Sequence, residues 1–146
     1  MPRDLLAVLA VFDGQSGSET PILLDGYRFL PSARIVEFAR NTAEATVKTR
    51  RTPKLTRNYG PVKGYTWNKK WIPFAMNYSG DILCLDTDPT PEGVVGQVIS
   101  VMNGDTDLRV LNDRLVDYVG GYDRLLESGD VNFNDVYRVF VLREEE

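Results

Sequence analysis

The chain has 146 residues, 42% of them hydrophobic and 26% charged, which suits one domain that buries roughly 68–70% of its unfolded surface. Histidine is absent and Cys84 is the single cysteine, which excludes Ser-His-Asp and Cys-His nucleophile pairs, a histidine acid or base, an internal disulfide and a Cys/His zinc site. No window approaches the roughly 20 consecutive apolar residues that span a bilayer, so a soluble protein that is not exported and works in the cytoplasm is expected.

The net charge of −4 conceals an uneven distribution. Residues 40 to 72 hold nine Lys and Arg against Glu44 alone, whereas residues 73 to 146 hold fifteen acids against five arginines. Either the fold brings the two regions together, or it presents a dipolar surface that steers a charged partner over a Debye length of about 8–10 Å.

In chain order, Leu5, Leu6, Val8, Leu9 and Phe12 recur at helical spacing and Asp13-Gly14 closes the segment, predicting a helix over 2–12. A polar loop follows from Gln15 to Thr20. Ile22-Leu23-Leu24 and Tyr27-Arg28-Phe29-Leu30 flank Asp25-Gly26, a pair suited to the positive φ angles of a type I′ hairpin turn. Ser32 is a candidate N-cap for a second helix with Ile35, Phe38, Ala39 and Thr42 on one face. The basic stretch from Thr46 to Lys70 has little periodicity and reads as an excursion with short strands at most.

Three apolar runs follow, Pro73 to Tyr78, Ile82 to Leu85 and Gln97 to Met102, punctuated by Ser79-Gly80 and by Thr87 to Gly93. They predict a β-meander at the centre of the sheet. Cys84, between Leu83 and Leu85, reads as a buried strand residue and not a reactive thiol. Leu115, Tyr118, Val119, Tyr122, Leu125 and Leu126 form the stripe of a last helix, capped by Asn112 or Asp113 and ended by Ser128-Gly129. Gly120 and Gly121 weaken it by about 1 kcal/mol each relative to Ala, which suggests a close backbone contact there. Val136 to Leu142 predicts a final strand. The fold class is therefore α+β, a single domain over 1–146 with a central, mostly antiparallel twisted sheet, helices packed against it and a charged tail at 143–146.

The run Trp71-Ile-Pro-Phe-Ala75, Gly80-Asp81, Leu83-Cys-Leu-Asp86 and Gly93-x-x-Gly96-Gln-Val98 resembles the core signature of the SUKH superfamily. Arg3-Asp-Leu-Leu6 to Asp13-Gly14, Gly26-Tyr-Arg-Phe-Leu30, the tryptophans Trp67 and Trp71, and the tail from Leu108 to Leu126 extend the resemblance over most of the chain. It departs where many bacterial members carry a histidine after the Gly-Gln-Val strand, since Met102-Asn103 stands there. The resemblance implies a non-catalytic binding protein without cofactor, expected to be an immunity protein that neutralises a cognate toxin. A regulatory scaffold like the fungal cell-wall assembly members is the alternative, and a carboxylate-metal enzyme a distant third.

The candidate partner-binding residues are Asp81, Asp86, Asp88 and Glu92, with Trp67 and Tyr78 as aromatic anchors. The four acids lie within twelve residues at predicted hairpin ends, and no Lys or Arg stands between Lys70 and Arg109 to neutralise them locally. Turns favour aspartate in any case and no calcium-loop spacing is present, so no metal is expected at these acids. Trp71 reads as core. Tyr59, Tyr65 and Trp67 interleave with the basic run as a nucleic-acid surface would, yet the sequence pI of about 4.9 argues against direct nucleic-acid binding. The expected partner is a toxin domain, with nucleases and other nucleic-acid-acting toxins as the leading class because an acidic rim imitates phosphate. Self-association is left open.

Overall fold

The computed structural model describes residues 3, 5–6, 27–65 except 49–56, 67–102, 107–129, 131–134 and 139–142, with the backbone alone at 42–48, 57, 122–123, 125–126, 131–134 and 139–142. Its elements in chain order are β1 (Arg28–Phe29), α1 (Ser32–Lys48), β2 (Arg57–Tyr59), β3 (Trp71–Met76), β4 (Ile82–Asp86), β5 (Gln97–Val101), β6 (Asp107–Asn112), α2 (Leu115–Ser128), β7 (Val131–Asn134) and β8 (Val139–Leu142). The predicted Asp25-Gly26 turn, the 15–20 loop and the 143–146 tail lie outside the described residues. Of the first predicted helix, Arg3, Leu5 and Leu6 are helical and Leu5 is buried.

Six strands form one sheet in the order β1-β3-β4-β5-β6-β2, and β7 pairs with β8 in a separate ribbon. The meander β3 to β6 is antiparallel throughout and occupies the centre, while β2 joins the edge of β6 in parallel. This is a mostly antiparallel α+β domain, as the alternation of apolar runs and turns predicts. β6 and β7 escape the sequence pattern: β6 shows mixed burial along its length, and β7 is only four residues long.

Both faces of the sheet are covered. Leu83, Leu85, Val98, Phe74 and Ala75 form one core cluster with Leu5, Tyr27, Ile35 of α1 and Leu115 of α2. Trp71, Cys84, Ile99, Val101 and Leu108 form a second with Val62, against which Tyr65 and Trp67 pack. Helices therefore cap one face, and residues 60–65 and 67–70 cap the other. That is why β4 and β5 are buried almost residue by residue, with no alternation of inside and outside. The thiol of Cys84 is buried and unpaired, and burial, with Asp86 nearby as a lesser cause, pushes its pKa well up.

Both helices differ from expectation at their starts. Ser32 is the first helical residue of α1, and α1 continues to Lys48, into the stretch expected to be irregular. At α2 the N-cap is Arg114 in extended conformation with no side-chain cap, not Asn112 or Asp113. Asn112 is held in β6, paired with Val98, and is not available for the cap. Leu115 is buried and Tyr118 and Val119 pack on the core as predicted, while the side chains of Tyr122, Leu125 and Leu126 lie outside the described residues. Gly129 ends α2 in the left-handed conformation, φ 75°.

Among the described residues, a Cβ on Gly120 or Gly121 would meet nothing within 4 Å. No described residue makes the expected backbone approach, so among the described residues these glycines cost helix propensity without a packing return. Gly120→Ala should accordingly raise the unfolding free energy by about 0.5–1 kcal/mol. Urea denaturation with an unchanged m-value is the check, and a loss of stability would contradict the open environment.

Candidate functional site

The signature motif builds a buried polar bridge at the end of the central hairpin. Asp86, the last residue of β4, faces Gln97, the first of β5, as a register pair, and both are fully buried. Gln97 Nε2 donates to Asp86 Oδ2 and to the Pro61 carbonyl, each at 3.0 Å, and its Oε1 accepts the Val94 amide at 3.3 Å. Asp86 Oδ1 accepts the Asp88 amide at 2.9 Å, and the Gly96 amide donates to the Asp86 carbonyl at 2.7 Å. The buried indole N–H of Trp71 faces this carboxylate without reaching hydrogen-bond geometry.

Burial raises the pKa of Asp86, with the Asp88 amide and Gln97 pulling the other way. The carboxyl is thus more basic folded than unfolded, and the native state holds the extra proton as pH rises past the ordinary aspartate value. Its contribution to stability falls across that window and stays low at neutral pH.

Gly93 and Gly96 allow the loop to close over this bridge. A Cβ at Gly93 would lie 2.6 Å from Pro89 Cβ, 2.8 Å from the Pro61 carbonyl oxygen and 3.0 Å from Gln97 Oε1, while Gly96 has φ 90°. The Gly-x-x-Gly-Gln spacing thus records one close approach, one left-handed turn and one buried amide.

A second network ties the loop to the basic segment. Lys63 Nζ meets Asp88 Oδ1 at 2.8 Å, and buried Asn68 donates to Asp88 Oδ2 at 3.0 Å. The Lys63 hydrogen bond, then that of Asn68, holds the Asp88 carboxyl below its ordinary pKa, and the same Lys63–Asp88 bond raises Lys63. Asp88 therefore stabilises the fold above the ordinary aspartate pKa and loses that contribution as pH falls through its depressed value. Thr87 completes the seam through its amide and hydroxyl, both donating to the Lys70 carbonyl at 3.2 and 2.7 Å.

The six candidate residues thus separate. The expected exposure fails for Asp86, which is inside the sheet, and local neutralisation of Asp88 is supplied by Lys63 from across the chain. Asp81 is half-buried and exchanges hydrogen bonds with Asn77, which fixes the β3–β4 turn at Gly80. Glu92 is exposed on the β4–β5 loop. Trp67 packs edge-on against Trp71 and tilted against Phe38, with centroids 5.6 Å apart in both pairs, which makes it part of the core. Tyr78 is 81% exposed at the hairpin tip, where Arg28 donates to its hydroxyl at 2.9 Å and stacks 5.4 Å from its ring centre.

The site residues missed by sequence reasoning are Gln97, Lys63, Asn68 and the exposed pair Val94 and Val95. Gln97 opening an otherwise apolar strand opposite Asp86 was a legible signal. Lys63 and Asn68 had none, being 25 and 20 residues from Asp88. Among the described residues no three acids, histidines or cysteines gather as a metal site, and no helix is long and apolar enough to cross a membrane.

A family model described as SMI1 / KNR4 family (SUKH-1) matches residues 1–121, and the chain belongs to that family. Members are in general immunity or cell-wall regulatory proteins that act through protein–protein contacts and without chemistry of their own. No curated protein matches the chain.

Two substitutions check the bridge. Gln97→Glu places a second carboxylate against Asp86 inside the sheet and should cost about 3–5 kcal/mol at pH 7, with the deficit shrinking as pH drops toward 4 and one carboxyl takes up a proton. Gly93→Ala should cost about 1–3 kcal/mol at any pH, because its clash is steric. Denaturation midpoints of both variants between pH 4 and 8 separate the two causes.

Proposed function

We propose that this chain is an immunity protein that neutralises a cognate toxin in the cytoplasm by binding it directly, with no catalysis and no cofactor. The observation that carries the reading is the β4–β5 loop. Its base is locked by Asp86, Gln97 and Asp88, yet it holds Glu92, Val94 and Val95 in solvent, with Val95 72% exposed. A rigid loop that displays apolar side chains beside an acid is suited to binding, because little entropy remains to be lost on association.

Asp88 and Glu92 on the β4–β5 loop, and Asp81 and Tyr78 at the β3–β4 turn at the other end of β4, are the contact candidates, and Asp86 and Trp67 act by holding the loop end of the sheet in place. A basic, nucleic-acid-acting toxin is the expected partner, since a carboxylate-bearing surface steers it and imitates phosphate. The family alternative is a regulatory scaffold of the cell-wall assembly type.

Co-expression with toxin genes adjacent to this one, scored by growth, tests the reading. Rescue by the wild type supports it, and failure with every neighbouring gene favours the scaffold. With a purified partner, Val95→Asp should weaken binding about tenfold or more, mainly through dissociation. Glu92→Lys should slow association and flatten its dependence on salt.

A further inference from the structure

At the far end of β4 from the acidic loop, β1, the start of α1 and the end of β3 enclose a groove of about 370 Å³. Its walls are Phe29, Leu30, Pro31 and Met76, and Arg28 and Arg34 stand at its edge. Arg28 donates to the hydroxyl of the exposed Tyr78 and stacks on its ring, which places its guanidinium beside the groove. Arg34 lies in the first turn of α1, which holds no acidic residue, and its ion pair with Glu37 spans 3.3 Å between two largely exposed side chains. Such a pair contributes little and exchanges readily for a better acceptor.

We propose that this groove binds an extended segment of a protein partner in which a carboxylate side chain is flanked by aliphatic residues. The aliphatic groups fill the space over Phe29, Leu30 and Met76, and the carboxylate takes the place of Glu37 on Arg34, with Arg28 completing the positive edge. Guanidinium groups favour planar carboxylates through paired N–H donors, and an apolar floor with a polar edge is the usual anatomy of a peptide-binding groove. The exposed Tyr78 beside it is of the residue type that most often anchors such contacts. This surface takes up an acidic segment, so it is distinct in sign from the Glu92 loop. It holds for an immunity protein and a regulatory scaffold alike, and growth rescue and the following titration fail independently.

The test is a titration of the ¹⁵N-labelled full chain with an acetylated, amidated peptide whose Leu-Asp-Leu centre is flanked by Gly and Ser. Amide shifts should concentrate at 28–34 and 76–78 and saturate with a Kd on the order of 1 mM. A Leu-Asn-Leu peptide and a Ser-Asp-Ser peptide should each bind several-fold more weakly. Arg34→Glu, an exposed change that leaves the folded spectrum intact, should abolish the shifts, and Glu37→Gln should tighten binding by freeing Arg34. Equal binding of the Asn peptide, persistence in Arg34→Glu, weaker binding in Glu37→Gln, or shifts centred elsewhere would each overturn the proposal. Shifts of the same amides with inorganic phosphate but not with the peptide would also overturn it, marking the arginines as a phosphate site.

Discussion

The structure turns on a buried carboxylate that must be satisfied. Asp86 sits inside the sheet with no solvent to hydrate it, and a charge in that position is tolerated only if protein donors replace the water. Gln97 supplies one donor and the Asp88 amide another, and the same Gln97 amide reaches the Pro61 carbonyl. The bridge therefore joins three segments that are distant in sequence: the end of β4, the start of β5 and the segment that covers the second face of the sheet. The Pro61 tie acts with the Lys63–Asp88 and Asn68–Asp88 bonds to anchor the segment that covers the apolar surface of Trp71, Cys84 and Ile99.

The loop glycines follow from that constraint. To bring the Val94 amide onto Gln97 Oε1, the backbone at Gly93 must pass within reach of Pro61 and Pro89, where no Cβ fits. The residues between and around the glycines are then freed from structural duty and project outward. Val94 and Val95 are exposed on a loop whose base is held by Asp86, Gln97 and Asp88, an apolar pair of the kind the proposed partner surface would cover.

Electrostatics takes a form that the charge totals conceal. Residues 60–65 and 67–70 of the basic segment lie across the acidic end of the sheet, where Lys63 and Asn68 both bind the Asp88 carboxylate and the Lys70 carbonyl accepts from Thr87. The dipole read from the sequence is thus partly spent within the fold, leaving Glu92 as the acid that faces outward from this loop and Arg28 and Arg34 at the opposite end of β4. The two ends of β4 therefore differ in charge, with Glu92 outward at one and Arg28 and Arg34, alongside the half-buried Asp81, at the other.

Local pattern alone determined the three meander strands, the turn at Ser79-Gly80, α2 with its stop at Gly129 and the burial of Trp71 and Cys84. Periodicity, turn propensity and apolar flanks act between residues a few positions apart, so they can be read from adjacent letters. The family, too, was legible, because the resemblance rests on short runs of adjacent residues, Trp71 to Ala75, Leu83 to Asp86 and Gly93 to Val98. Tertiary structure alone decided that Asp86 lies inside and Glu92 outside, although both occupy hairpin ends, since burial depends on which segment covers a face. It decided that Asn112 belongs to β6 and not to the cap of α2, because pairing with Val98 outbids a local hydrogen bond. It also decided the partners Lys63, Asn68 and Pro61, whose separations of 20 to 36 residues leave no periodic trace, and whose meeting is set by the packing of one whole layer on another.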